Sequence, residues 1–508
     1  MKRFFAMILT AVMAFSLTAC GGSSAEKEEV LAEKEETAVV PLKLYKANNY
    51  LMHEELYQEE WVKLYLSEED AEKYPALAES LAELNIEQDV YHYDWEQGAK
   101  VDAQTAMDEM GEYFYPFNSN SFYYVQRADD RMVSIREDWD EYYGGVHGMY
   151  GTIGHVFDTA TGERLTLDDV IKDTDVIPAI LAEKLEEKYP DDIRDFNDSV
   201  TETLTAYELE DFRWTVDYQG ITFYFDPYEL ASYAAGRLTA TIWFEEYPEL
   251  FGEKHTEQPE NGYIKEIPLW DDIEVDLVSA DGKTDSVYVI GESIGEYGEQ
   301  CIRVRRNEEG YTDSDSYGYR FTPHLVCQDD RFYAMVEGSA DNEYRTIYVY
   351  DLNEAEIKAC DINPGVGFHT PEWEPDDEAY GLREVLNDPA ELCLDTVVNM
   401  LGTMDGVNTY EFVNGILLQD QPYFTLPEDF PPLVSKVPLE VYFYEEDVTE
   451  EMPAGTEFYF LYTDNDSYVD MKVDGDRVCR LEVRFDGWER TVNGIPEYDA
   501  FGEIFYAG

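Results

Sequence analysis

Basic residues are scarce in this chain. Its 508 residues carry 36 Lys+Arg against 111 Asp+Glu, a formal charge of −75 at pH 7. That balance excludes a nucleic-acid binder working through bulk charge, because phosphate contacts need a basic surface. It also argues against adsorption of the whole chain to anionic lipid. Histidine is rarer still, at 7 residues, and no Cys-x-x-Cys or Cys/His ligand cluster occurs. No Gly-x-Ser-x-Gly, His-Glu-x-x-His, P-loop or dinucleotide fingerprint stands in a fitting context, so no cofactor, metal ligand or catalytic residue is assigned. No period marks a propeller or solenoid. Beyond the N-terminus no apolar run reaches the length of a membrane helix. What is present is apolar and aromatic: 44% hydrophobic residues and 15% aromatic, with 41 Tyr, 25 Phe and 8 Trp. A chain unable to bury a core is poor in such residues. The length suggests two to four folded domains.

The first residues give an address. Lys2 and Arg3 form a positive start, and Phe4 to Leu17 is an apolar run of signal-peptide length. Leu17-Thr18-Ala19-Cys20 follows, then Gly21-Gly22-Ser23-Ser24. This segment resembles the lipobox of bacterial lipoproteins. The resemblance implies cleavage between Ala19 and Cys20 and a diacylglycerol on the Cys20 thiol. Two acyl chains give stable anchoring where one is marginal. The expected setting is the outer face of the cytoplasmic membrane in a Gram-positive envelope. The bilayer is then a partner through acylated Cys20. The remaining five cysteines, Cys301, Cys327, Cys360, Cys393 and Cys479, are an odd number and cannot all pair in one chain. One or two disulfides, or free buried thiols, both stay open.

The expected fold class is α+β. Residues 1–19 are the signal, 20–37 the lipidated cysteine and a flexible linker, 38–130 a small mixed module, 131–248 an α+β domain and 255–508 a β-rich region of one or two subdomains. In the first module Val39–Tyr45 reads as a strand. Ser67 caps a helix whose Leu77, Leu81 and Leu84 share a face, and Val101–Met110 reads as a second helix. Farther on, Ile177, Leu181 and Leu185 form one helical stripe. Ile221, Phe223 and Phe225, then Leu238, Ala240 and Ile242, alternate as strands. Asp226-Pro227-Tyr228-Glu229 reads as a capped helix start, as does Asp388-Pro389-Ala390-Glu391, with a helix predicted through Leu401.

Residues 144–171 (GGVHGMYGTIGHVFDTATGERLTLDDVI) and 220–242 (GITFYFDPYELASYAAGRLTATI) resemble the RsiV-type extracytoplasmic domain. The Gly-Gly-x-His segment, the D-x-x-T-G-x-x-L-x-L-x-D turn and the F-Y-F-x-P-Y-E-x-A-x-Y-A-x-G segment stand in the family's order. Residues 38–130 occupy the place of a smaller module found in exported polysaccharide deacetylases. The resemblance implies an α+β fold and little about function. The best-understood members are anti-sigma factors whose outer domain binds lysozyme, and others are lipoproteins without a known role. This chain lacks a cytoplasmic anti-sigma region and any TFDDG-like metal motif.

His147 lies in a glycine-rich turn with Gly144 and Gly145, where backbone can approach a ligand. Asp138 and Asp140 are near it in sequence, so a general base or a pH-sensitive contact is one reading. The other is that the glycines serve backbone geometry and His147 bonds within the turn. Tyr150, Asp158 and Tyr228 complete the candidate binding residues, and His155 reads as structural. Asp313-Ser314-Asp315 and Asp464-Asn465-Asp466 lack the Gly and distal Glu of a calcium loop. The expected function is a membrane-anchored binding or sensing module for a cationic, lysozyme-like protein or a cell-wall component such as a peptidoglycan fragment. A wall hydrolase and a structural envelope protein are the alternatives.

Overall fold

A computed structural model describes residues 38–53, 55–194, 196–197, 199–268, 271–277, 284–294, 298–341, 344–354, 356–371, 380–475, 477–487 and 489–506. Cys20, the signal and the linker lie outside the described residues. The fold is α+β, with a mostly β C-terminal region. Among the described residues no helix is long and apolar enough to cross a membrane.

The chain opens with β1 (Leu44–His53) and β2 (Tyr57–Leu66), an antiparallel hairpin. The strand predicted at Val39–Tyr45 starts later than expected. Val39 and Pro41 make only isolated bridges, since Pro41 has no N–H to offer a ladder. A short α1 (Glu68–Lys73) is capped by the Ser67 hydroxyl, as predicted. Pro75 then starts α2 (Pro75–Met110), one helix of 36 residues. The two helices expected here are one, because Trp95, Ala99 and Ala103 carry the buried face straight through to the last turns.

β3 (Phe117–Ala128), β4 (Met132–Tyr142) and β5 (Met149–Asp158) extend the sheet by antiparallel pairing. β2 and β3 run parallel, and α2 makes the crossover that parallel strands need. These two strands pair only from Tyr57/Phe117 to Glu60/Asn120 and then diverge. Asn85 of α2 replaces the missing partner: it accepts the Leu64 N–H at 2.9 Å and donates to the Leu64 carbonyl at 2.8 Å. On the other lip, the Val125 N–H donates to Glu266 at 2.8 Å and Lys46 pairs with the same carboxylate. Every backbone group in that splay thus named has a partner, which burial demands. The sheet's far edge is closed by Tyr380–Glu384, which pairs with β1 from the C-terminal region. The sheet runs unbroken through the boundary placed at residue 130.

Next come α3 (Leu167–Val170) and α4 (Ile177–Lys188), and then a three-stranded sheet of β6 (Arg213–Val216), β7 (Gly220–Phe225) and β8 (Leu238–Trp243). Ile177, Leu181 and Leu185 pack on Phe223, Phe225, Leu238 and Ile242 in one core, as their spacing predicted. The helix predicted at Asp226–Glu229 is absent. The Asp226 carboxylate accepts the Thr152 N–H at 3.0 Å rather than capping, and Tyr228 turns back with φ 71°.

From β9 (Tyr263–Glu266) onward the chain is β-rich, in four-, five- and thirteen-stranded sheets. The helix predicted from Asp388 to Leu401 is a turn followed by the strand Leu392–Val398. The Asp388 side chain accepts from Ala390 N at 2.8 Å, which serves a turn as well as a helix start. Leu392 and Leu394 are buried on the strand's two-residue period, and Thr396, Val397 and Val398 add β-branched bulk. The Val-Asn-Gly-Ile segments at 413–416 and 492–495 are both hairpin turns, with Asn414 and Gly415 at φ 50° and 84° and Asn493 and Gly494 at 49° and 83°. Their likeness is turn chemistry. All five described cysteines are free thiols.

Candidate functional site

The β4–β5 connection and the β7–β8 connection meet at one end of the two sheets. Gly144 and Gly145, with φ 88° and 97°, make the tight reversal after β4. That conformation is cheap only without a Cβ. The reversal exposes His147, whose Nδ1 donates to the Gly148 carbonyl at 2.8 Å. A carbonyl only accepts, so this nitrogen carries the proton. The imidazole stacks on Tyr233 with ring centres 4.0 Å apart. Tyr233 donates its hydroxyl to the same Gly148 carbonyl at 2.9 Å. Tyr150 and Tyr228 flank Tyr233 at 5.7 and 5.6 Å. Three of the sequence candidates, His147, Tyr150 and Tyr228, therefore form one aromatic shelf centred on Tyr233.

The shelf continues through Tyr150 into a cleft of about 640 Å³. Tyr124, Trp139 and Tyr189 supply further aromatic wall, and Asp138, Asp140, Asp271 and Asp272 face Lys188 and Arg237. An ion network forms the floor. Arg136 holds Asp138 through two bonds of 2.9 Å and also pairs with Asp271. Arg237 bonds Asp271 at 2.7 Å and approaches Asp138 at 3.4 Å. Thr152 adds a hydroxyl bond to Asp138 at 2.8 Å. These residues come from β4, β5, the residue just before β8 and the segment that follows β9.

The charges of the cleft are tuned by burial and by partners. Burial pushes the Asp140 carboxyl up, with the Asn120 and Asn118 amides opposing. Burial does the same at Asp272, with Lys188 opposing. Burial also acts on Asp271, yet the Arg136 and Arg237 guanidiniums win and hold it below the usual carboxylate range. Lys188, half-exposed, pairs with the buried Glu274 at 2.7 Å, and that carboxylate keeps its ammonium above the ordinary value despite the desolvation.

Asp158 takes no part in the shelf. Its Oδ1 accepts the Ala160 and Thr161 N–H groups at 3.0 Å each, and its other oxygen pairs with Lys254. It builds the turn that its sequence motif describes. His155 is buried and bonds Glu137 at 2.6 Å. The residues that sequence reasoning missed are Tyr233, Arg237, Trp139, Lys188 and the Asp271-Asp272 pair. Tyr233 and Arg237 lie in the quoted 220–242 segment, so their aromatic and basic character was a usable signal. Nothing local marks Asp271, which reaches the site only by long-range folding.

The shelf and cleft thus sit on an α+β unit whose helical layer and three-stranded sheet lie largely in one stretch. That stretch, residues 167–245, matches a family described as a protein of unknown function, DUF3298, so the chain contains a DUF3298 domain. No curated protein matches the chain. Two solved structures are similar in part. One is a DUF3298 family member of Bacteroides fragilis NCTC 9343, at 19% identity and TM-score 0.34, covering 43% of this chain and 96% of that one. The other is a DUF3298 family protein of Pseudomonas aeruginosa PAO1, at 16% identity and TM-score 0.32, covering 43% and 97%.

Proposed function

We propose that the shelf and cleft are the binding site of an extracytoplasmic, membrane-tethered module, and that the ligand is a glycan segment of the cell wall. The observation that carries this is Tyr228. Ten described residues other than glycine have positive φ, and Tyr228 is the one aromatic among them. Holding a bulky side chain there costs about 1–2 kcal/mol, which Asn or Gly would largely avoid. The residue is 50% exposed, so its ring offers the fold little in return. Its return is the shelf. Sugar rings present C–H faces that stack on aromatic rings, and the carboxylates, Lys188 and Arg237 are suited to their hydroxyls. His147 bonds a backbone carbonyl and stacks on Tyr233, a geometry that supports binding over hydrolysis.

The RsiV-type resemblance and the lipobox support the same setting. A specific observation favours a second ligand, a cationic protein: four carboxylates line the cleft against two cations. Salt separates the two. Glycan binding changes little between low and moderate ionic strength, whereas steering of a cationic protein weakens steeply. Calorimetry of the full chain with soluble peptidoglycan fragments and with lysozyme, at two salt concentrations, tests both. Tyr233→Ala should abolish glycan binding, and absence of any heat with wall fragments at either salt would sink the proposal. Cys20→Ala should move the protein out of the membrane fraction, and retention there would refute the lipid anchor.

A further inference from the structure

The cleft beside the aromatic shelf carries charge that its own cations do not cancel. Asp138, Asp140, Asp271 and Asp272 line it. Asp138 and Asp271 are held by Arg136 and Arg237. Lys188, the other cation of the wall, is paired with the buried Glu274, which does not line the cleft. Asp140 and Asp272 are left over. Asp140 accepts from neutral donors, the Asn118 and Asn120 amides at 2.9 and 3.1 Å. Asp272 lies within the field of Lys188 but makes no ion pair with it. Burial pushes both carboxyls up, so each charge would be relieved by a cation brought in by a ligand.

Position matters as much as charge. The β4–β5 register sets Asp140 directly opposite Tyr150, the residue that joins the shelf to the cleft. Cross-strand neighbours lie about 4.5–5.5 Å apart at Cβ, so a sugar ring stacked on Tyr150 has a carboxylate beside its edge. The same row runs on through Asn120 of β3 to Glu60 of β2. Burial pushes the Glu60 carboxyl up, Arg320 opposes, and Asp140 adds to the rise. Trp139, Tyr150 and Tyr189 are all partly exposed where they line the cleft. A donor is left over as well. The Arg237 Nε–H is buried without an acceptor among the described residues, on a lining side chain that is 8% exposed. A buried N–H without a partner is costly, and a ligand hydroxyl would supply the acceptor. An N-acetyl group beside Asp140 would offer one neutral N–H and leave the charge unanswered. An ammonium makes the stronger, charge-assisted bond.

Resting on the glycan reading above, we infer that the preferred ligand of this cleft is a glycan whose hexosamine units carry free amino groups, with a ring stacked at Tyr150 and ammonium groups against Asp140 and Asp272. Asp138 and Asp271 then hold the floor, and Asp140 and Asp272 select.

Calorimetry on the full chain tests this with the β-1,4-linked glucosamine tetramer and its fully N-acetylated counterpart, in slightly acidic buffer that keeps the amines protonated. The amine tetramer is expected to bind at least about tenfold more tightly, from two charge-assisted contacts in place of neutral ones. Bulk attraction to a chain of charge −75 is the rival cause of such a preference. The double variant Asp140→Asn with Asp272→Asn separates the two, because it leaves nearly all of the bulk charge in place. It should bring the two tetramers to within about twofold of each other. Asp140→Asn alone should narrow the gap at least about threefold, which keeps the test open if the double variant does not fold. Equal binding of the tetramers by the parent chain, or a preference that survives the substitutions, overturns the inference. So does binding of neither tetramer. In each case heat with soluble wall fragments leaves the glycan reading standing, and its absence removes that reading too.

Discussion

Replacing Asp271 by Asn should cost about 2–3 kcal/mol of stability at neutral pH. The estimate follows from the cleft floor. Asp271 is the shared anion of Arg136 and Arg237, whose side chains are 2% and 8% exposed. Breaking a fully buried pair costs about 3–5 kcal/mol, because a charge is left without a partner. Two features lower that here. Asp271 itself is 24% exposed, and Arg136 keeps both of its 2.9 Å bonds to Asp138. The amide is nearly isosteric, so packing is not the cause. Urea unfolding followed by tryptophan fluorescence is the assay, with a lower midpoint and an unchanged slope as the expected result. The pH dependence gives a second readout. The two guanidiniums depress the Asp271 pKa in the fold. Its contribution is therefore complete above the unfolded value of about 3.9 and fades as pH falls through the folded value. The gap between parent and variant should hold from pH 8 to about 5 and close in acid. A gap below about 0.5 kcal/mol at pH 7, or one that widens in acid, would refute the reasoning.

Gly154 of β5 lies against β6 so closely that an added Cβ would stand 1.7 Å from the Trp214 carbonyl oxygen. Gly154→Ala should therefore prevent folding, read as loss of the cooperative thermal transition. Gly98→Ala, in α2 with nothing within 4 Å, should raise stability by about 0.5–1 kcal/mol by the same scan. Tyr228→Asn should relieve backbone strain and stabilise by about 1 kcal/mol in urea while weakening wall-fragment binding, a trade that a purely structural tyrosine would not show. His324 is buried, and desolvation lowers its pKa to about 4. The unfolded state takes up its proton first, so stability should fall from pH 6.5 to about 4 and His324→Leu should flatten that limb, measured by urea midpoints across the range.

Much of the DUF3298 core was legible, because Ile177, Leu181, Leu185, Phe223 and Leu238 declare their faces by local period. The shelf was half legible. His147 stood out in its glycine-rich turn, and Tyr150 and Tyr228 were among the candidates, although Tyr228 was read into a helix start where the chain makes a reversal. The errors have physical causes. Asp226 and Asp388 carry side chains that satisfy a turn or a neighbouring strand as readily as a helix end, and only the three-dimensional partner decides. The Asp271 network was invisible, because it assembles residues far apart along the chain.

The pairing of Tyr380–Glu384 with β1 bears on how the protein is made. Asn387, just beyond that strand, donates to the carbonyls of Leu42 and Ala128 at 2.5 and 3.2 Å, so the first sheet is both edged and stapled by sequence that emerges long after it. Until that segment arrives during synthesis, β1 presents a row of unpaired N–H and C=O groups to every neighbouring chain. Closure over so long a loop is slow. A chain ended at residue 248 would keep that edge open permanently and should self-associate, so fragments are poor reporters of this molecule. The strong negative charge that repels one nascent copy from another then acts as a folding safeguard, holding sticky edges apart until each chain supplies its own.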